Sequence, residues 1–206
     1  MTPSGAGIDL YWLPIGAGAH SLRWNGRLYE TARALRERRA VTELYHSALR
    51  VRLAGDSWIV EMTPVWAAGS VPDDAVVAEG AVGSRWLGRS RFFRYEVHRW
   101  RGGVIDDVAE AVDSPVPVAS DESTARRLLD VLPSIPTLVW GRDENDAGDM
   151  WNSNSVTAWA LARSGVKASA VRPPVGGSAP GWHAGLAAAG HCRPPPPPQV
   201  RVQSIV

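Results

Sequence analysis

The 206-residue sequence has a single cysteine, Cys192, so no disulfide can form within the chain and no zinc site of the CxxC type can be built. The N-terminus lacks the basic segment and following apolar segment of a secretory signal peptide. No run approaches the roughly 18 apolar residues of a membrane span. No histidines and carboxylates show the spacing of metal ligands. We therefore expect a cytoplasmic protein with no transmembrane segment, no metal and no cofactor.

An excess of charge of one sign is also lacking. The chain has 22 Lys and Arg against 21 Asp and Glu, a formal net charge of +1, so its composition predicts no nucleic-acid partner. Arginines do cluster at 33–39, but on a predicted helix such a run is typical of a solvated face. Apolar residues make up 45% of the chain, which is enough for one globular domain with its own core.

Local patterns predict a mixed α+β domain. Apolar and polar residues alternate over 44–53 and 58–64 with turn residues between them, which predicts a β-hairpin. In its first strand His46 faces away from Tyr45 and Leu49, because successive side chains on a strand alternate. Other elements are expected as strands at 9–15, near residue 76 and at 91–100, and as helices at 28–39, 121–132 and 153–164.

The composition changes in the last part of the chain. After residue 175 it is rich in Gly, Ala and Pro, and Pro194 to Pro198 are consecutive. Such a segment is typical of polyproline-like or disordered structure. We therefore expect one domain over 1–175 and a Gly/Pro-rich C-terminal tail over 176–206.

Small polar residues cluster at the start of the helix expected at 153–164. Asn152, Ser153, Asn154 and Ser155 precede a largely apolar run. Asn and Ser are preferred N-caps, so a structural role explains the cluster without any chemistry. A helix N-terminus also favours developing negative charge, and a hydroxyl there suits acyl chemistry. That hypothesis makes Ser153 a nucleophile and His46 its base, although a lone histidine on a strand is often structural.

The segment 44–62 resembles the histidine-bearing hairpin of the permuted NlpC/P60-like superfamily, which includes the PPPDE peptidases and the lecithin:retinol acyltransferase-like enzymes. Those proteins carry a motif of the type Asn-Cys-Asn before a buried helix, and Asn152, Ser153 and Asn154 match it here. His46 precedes Ser153, as in the permuted members. The resemblance implies an α+β, circularly permuted papain-like fold, in which an antiparallel sheet packs on a buried nucleophile-bearing helix.

The resemblance also implies an acyl-transfer site with serine in place of the usual cysteine. Ser153 would attack an ester, thioester or amide of a small-molecule, lipid or peptide substrate, while His46 takes its proton. The backbone N–H groups of Ser153 and Asn154 would hold the oxyanion. Glu61 is the candidate to orient His46. The register of the two strands determines whether Glu61 has this role, whether Thr63 has it, or whether there is no third residue. Because a serine hydroxyl is a weak nucleophile, the second hypothesis is a catalytically inactive papain-like fold that acts as a binding or scaffold protein. The oligomeric state is left open.

The stretch 138–146 is too charged for a core and too aromatic for a plain linker. Trp140, Arg142 and Trp151 are candidates to wall a substrate cleft, and Asn152 and Asn154 flank the expected nucleophile. Alternatively, the stretch is a solvated loop with Trp140 turned inward. His20 is a weaker candidate, and His98 is expected on the solvent side of its strand.

Overall fold

The computed structural model describes residues 5–15, 42–67, 72–105 and 107–191. The helix expected at 28–39, His20, Cys192 and the proline run lie outside these residues. The strands are β1 (Gly7–Pro14), β2 (Glu43–Leu53), β3 (Asp56–Pro64), β4 (Val76–Ala81), β5 (Arg94–Arg101), β6 (Val112–Ala119) and β7 (Gly177–Ser178). The helices of the described part are α1 (Glu122–Val131), α2 (Ser153–Ser164) and α3 (Trp182–His191).

Six strands form an antiparallel sheet in the order β4-β5-β3-β2-β1-β6. The short strand β7 pairs in parallel with the first residues of β2, where Glu43 lies opposite Gly177. The architecture is therefore α+β, as expected. The hairpin, the strand near residue 76, and helices α1 and α2 are confirmed in type and approximate position.

The β2–β3 hairpin closes through a two-residue turn. Leu53 lies opposite Asp56, and the residues between them, Ala54 and Gly55, have φ angles of 52° and 85°. Two consecutive positive φ angles are the geometry of a type I′ turn, which matches the twist of the flanking strands. Arg50 consequently lies opposite Ile59. The β2–β3 ladder ends at the Leu49–Val60 pair, three residues before it would reach His46 and Thr63.

The two faces of the sheet carry different cores. Tyr45, Leu49 and Val51 of β2 belong to the larger core, which α1 and α2 complete; we call this side the helix face. Ala48 of β2 belongs to a smaller core on the opposite side, the second face, whose other buried members are Tyr11, Leu13, Ile59 and Ile105. The alternation of β2 therefore determines which of its side chains can meet the helices.

Helix α2 is central to the larger core. Its residues from Ser153 to Leu161 are all buried, which is expected of a helix with apolar residues on every side. Asn152 is its N-cap, and it ends at Gly165, whose φ of 96° is the left-handed conformation common after a helix. The predicted bounds of this helix are confirmed.

The fold continues beyond the boundary expected at residue 175. Strand β7 adds to β2, and α3 packs along α2. Trp182 of α3 is 6% exposed, with its ring 5.3 Å from that of Trp12. Gly and Ala in this segment permit close packing, so the composition that predicts a tail belongs, up to residue 191, to a packed part of the domain.

Candidate functional site

The Asn-Ser-Asn-Ser motif forms a capping box at the start of α2. The Asn152 side-chain oxygen accepts hydrogen bonds from the backbone N–H groups of Asn154 (2.9 Å) and Ser155 (3.3 Å). In return, the Ser155 hydroxyl oxygen accepts from the Asn152 N–H at 3.0 Å. This reciprocal pair satisfies donors that a helix otherwise leaves unpaired. The N–H of Asn154, expected to hold an oxyanion, is thus already bonded within the protein.

Asn154 connects α2 to two other segments. Its Oδ1 accepts a hydrogen bond from the Ser47 hydroxyl of β2 at 2.8 Å. Its Nδ2 donates to the carbonyl oxygens of Tyr45 and Pro180, each at 2.8 Å. Asn154 is 1% exposed and Ser47 is fully buried. Both N–H bonds of the amide and its oxygen are therefore used inside the protein.

Two glycines bring α3 against this motif. A Cβ at Gly181 would lie 2.1 Å from the Asn152 Oδ1, and a Cβ at Gly185 would lie 2.2 Å from the backbone oxygen of Ser155. The Ser155 hydroxyl donates to the Gly181 carbonyl at 2.7 Å. Only glycine permits so close an approach. The start of α2 is consequently covered by the start of α3.

Ser153, the expected nucleophile, is 7% exposed. Its hydroxyl makes no hydrogen bond within the described part of the chain, while the side chains on either side of it are fully engaged. Nothing in the geometry of Ser153 itself indicates activation by a base.

His46 lies on the second face of the sheet. It is directly opposite Leu13 in the β1–β2 ladder, and residues opposite each other share a face. Its neighbour Ser47 faces α2 instead. The expected contact between His46 and Ser153 therefore does not form, because the sheet separates them. The physical reason is the two-residue period of a strand, which allows only one of two successive residues to face the helices.

The surroundings of His46 differ from those expected. His46 keeps part of its surface exposed, but desolvation by the surrounding protein lowers its pKa to about 4, and the nearby Asp107 carboxylate offsets only part of this effect. His46 is therefore neutral near pH 7. Asp107 was not expected near this histidine, since it lies in the segment between β5 and β6, which local strand patterns do not connect to β2.

Glu61 shares the second face with His46, as expected, but its place in the sheet is opposite His98 of β5. His98 is 4% exposed and within 3.0 Å of the Glu96 carboxylate, which corrects the expectation of a solvent-facing histidine. Thr63 has a buried hydroxyl oxygen with no hydrogen-bond partner in the part of the chain that the structure describes. Among the described residues, no three His, Cys, Asp or Glu side chains are grouped as a metal site would require.

The three expected cleft residues are separated. Trp151 is 1% exposed in the larger core, and its main chain bridges to that of Trp140. The Trp140 ring packs edge-on against the Tyr95 ring, with 6.0 Å between the ring centroids. Trp140 is therefore turned inward, as in the alternative interpretation of this stretch. Arg142 is exposed, and its Nε donates to the Gly83 carbonyl at 2.7 Å. These residues therefore do not wall a cleft around Ser153.

A cavity of about 490 Å³ lies between the segment 169–180, which follows α2, and the start of α3, and Asp149 of the loop before α2 also lines it. Its charged residues are Asp149 and Arg172, His183 also lines it, and its apolar wall includes Trp182 and Leu186. The Asp149 carboxylate accepts hydrogen bonds from the N–H groups of Met150, Gly181 and His183. The Arg172 guanidinium bonds only to the carbonyls of Ser169 and Val171 among the described residues. Asp149 and Arg172 have opposite formal charges, so the cavity carries no net charge, and the Arg172 guanidinium has no carboxylate partner among the described residues.

Two residues of the hydrogen-bonded motif, Ser47 and Asn154, carry a signal in the sequence. Ser47 is a polar residue on the strand face that otherwise carries Tyr45, Leu49 and Val51, so it needs a buried partner. Asn154 is a polar residue in an otherwise apolar helix, with the same need. A polar residue among apolar ones does not show which residue its hydrogen-bond partner is.

Comparison of the chain with protein-family models, curated proteins and solved structures finds no match. Within the described ranges, no helix has both the length and the apolar character needed to cross a membrane.

Proposed function

We propose that this protein is a catalytically inactive member of the permuted papain-like superfamily that acts as a binding protein. The observation that carries the proposal is the buried hydrogen bond between Ser47 and Asn154. In an active member, a base on the strand faces a nucleophile at the start of the helix. The facing pair here is a hydroxyl and a carboxamide, and neither one can take the proton of the other. A structural hub therefore explains these residues better than a catalytic pair.

The serine-hydrolase alternative requires Ser153 and His46 to act together. A general base must come within about 3 Å of the hydroxyl that it deprotonates, directly or through one water. Their positions on opposite sides of the sheet do not favour this. Of the two N–H groups that this hypothesis assigns to the oxyanion, those of Ser153 and Asn154, the one of Asn154 is already bonded to Asn152.

The cavity beside the motif supports binding of a small molecule. Its volume of about 490 Å³ lies in the usual range of ligand sites. Arg172 supplies a cationic group without a carboxylate partner in the described chain, and Trp182, Leu186 and Val171 supply apolar surface. The ligand class that matches these groups is a small amphipathic anion, with its charged end at Arg172.

Catalysis is tested by incubating the full chain and the Ser153→Ala variant with a fluorophosphonate probe. We expect neither protein to be labelled, because Ser153 lacks a base. Labelling of the wild-type chain that disappears in Ser153→Ala would overturn the proposal that the site is inactive.

Binding is tested separately by thermal unfolding with octanoate, and with octanol as the uncharged analogue of the same chain length. We expect octanoate to raise Tm, Arg172→Gln to abolish this increase, and octanol to have a smaller effect, since ligand binding to the folded state stabilises it. Arg126→Gln, a change at an exposed arginine paired with Glu122, is the matched control. An unchanged Tm with octanoate, or an equal increase in Arg172→Gln, contradicts the assignment of the cavity.

A further inference from the structure

Four large aromatic side chains are exposed on neighbouring turns. Trp66, Trp86, Phe92 and Phe93 are 55%, 71%, 76% and 43% exposed, and together we call them the aromatic patch. The turn Val65–Ala67 contacts the turn Arg91–Phe93, which in turn contacts Leu87–Arg89. A single exposed apolar residue is ordinary, whereas a group of this size on adjacent turns marks an interaction surface.

Arginines are interleaved with these aromatics. The segment 84–94 contains Arg85, Arg89, Arg91 and Arg94 and has no Asp or Glu. Arg85 pairs with Glu144 at 3.1 Å, and Arg94 pairs with Glu79. Arg89 and Arg91 are exposed, and their side chains have no ion-pair or hydrogen-bond partner among the described residues. The patch therefore carries positive charge that the protein itself does not neutralise.

We propose that the aromatic patch docks the protein on an anionic phospholipid surface. Tryptophan, whose ring has an apolar body and a polar N–H, favours the headgroup level of a bilayer, phenylalanine enters its apolar side, and arginines on the same turns can bind lipid phosphates. The net charge of +1 does not oppose this, because charges beyond about 8 Å are largely screened at physiological ionic strength. The local segment, and not the whole chain, determines the attraction.

The exposure of the rings favours a membrane over single-stranded nucleic acid. Stacking with bases requires aromatic rings laid along a positively charged groove. Trp86 and Phe92 are each more than 70% exposed, so they project from the surface and do not line a groove. Projecting rings can enter the interfacial region of a bilayer while the fold stays intact outside it.

The test is sedimentation of the full chain with vesicles of phosphatidylcholine alone and of phosphatidylcholine mixed with phosphatidylglycerol. We expect binding to the mixed vesicles only, weakening as salt is added. Trp86→Ser combined with Phe92→Ser should abolish binding. Arg89→Gln and Arg91→Gln should each weaken it about fivefold, the contribution typical of one basic residue at an anionic surface.

Two surface changes elsewhere serve as controls. Val175→Ser replaces a fully exposed apolar residue, and Arg126→Gln removes an exposed arginine that already has a partner. Both variants should bind vesicles like the wild-type chain. The proposal is overturned if mixed vesicles do not retain the protein at low salt, or if the controls weaken binding as much as the patch variants. It is equally overturned if the patch variants lose binding to oligo-dT while no vesicle is bound.

Discussion

Replacement of Asn154 by alanine separates a structural hub from a catalytic site. The change removes three side-chain hydrogen bonds, with Ser47, Tyr45 and Pro180, from a residue that is 1% exposed. The neighbouring change Ser153→Ala removes none within the described chain. If the motif were catalytic, Ser153 would be the residue that matters. If it is a structural hub, the replacement of Asn154 should cause the larger loss of stability.

The expected magnitude follows from these bonds. A buried hydrogen bond contributes about 1 kcal/mol net, so Asn154→Ala should lower the free energy of unfolding by about 3 kcal/mol. For a chain of this length, that loss corresponds to a decrease in Tm of about 6–12 °C. Ser153→Ala should change the free energy of unfolding by less than about 1 kcal/mol, because alanine is a good helix former and no bond is lost.

Urea unfolding followed by tryptophan fluorescence measures both changes, since Trp151 and Trp159 are buried beside the motif. A double-mutant cycle with Ser47→Ala adds a second criterion. The double variant should be destabilised by less than the sum of the single variants, because Ser47 and Asn154 share one bond. A loss below about 1 kcal/mol for Asn154→Ala, together with an equal or larger loss for Ser153→Ala, would refute the hub.

Three further outcomes are expected. Gly185→Ala should destabilise the fold by more than about 1 kcal/mol in urea, because the new Cβ meets the Ser155 backbone oxygen, and wild-type stability would contradict the close packing. The free energy of unfolding should decrease by at most about 3 kcal/mol as the pH is lowered from 6.5 to about 4, because protonated His46 is disfavoured in the folded state. His46→Gln should remove this pH dependence, and an unchanged pH dependence would exclude His46 as its source. In Ser153→Cys, the pH dependence of iodoacetamide alkylation should be the same with and without His46→Ala, whereas a shift would show that the two residues interact.

The local elements of the fold could be predicted because their signals are local. The hairpin follows from alternation and from the turn at Ala54–Gly55, and α2 from its Asn152 cap and the terminating Gly165. These features need no knowledge of distant residues. Their positions in the structure differ from the predicted ones by only one or two residues.

Other elements depend on distant contacts and could not be predicted in the same way. Strand β6 contains Pro115 and Pro117, which argue against a strand. Among the described strands it pairs only with β1, so it lies at the edge of that sheet, where proline is tolerated. Helix α3 contains four alanines, which favour a helix, and two glycines, which do not, and it packs on α2. The Gly/Pro-rich composition of the segment around it conceals this helix, and tertiary context outweighs the local preference in β6.

The site could be predicted in part, and the wrong part of the prediction has one geometric cause. Alternation assigns His46 and Tyr45 to opposite faces of β2, and this assignment is confirmed. It does not determine which face the helices cover. Once α2 covers the face of Tyr45 and Ser47, the position next to His46 in sequence, and not His46 itself, meets the start of the helix.

A helix N-terminus can serve acyl chemistry only if it stays open to a substrate. At the start of α2, the Asn154 N–H is bonded to the Asn152 side chain, and Gly181 and Gly185 bring α3 within contact of the same turn. The polar groups at the start of α2 therefore bond within the helix and to neighbouring segments. Ser153 itself is 7% exposed, whereas Trp182 of α3 is buried against Trp12. The cavity proposed to bind a ligand is lined by Arg172 and Trp182 and not by Ser153.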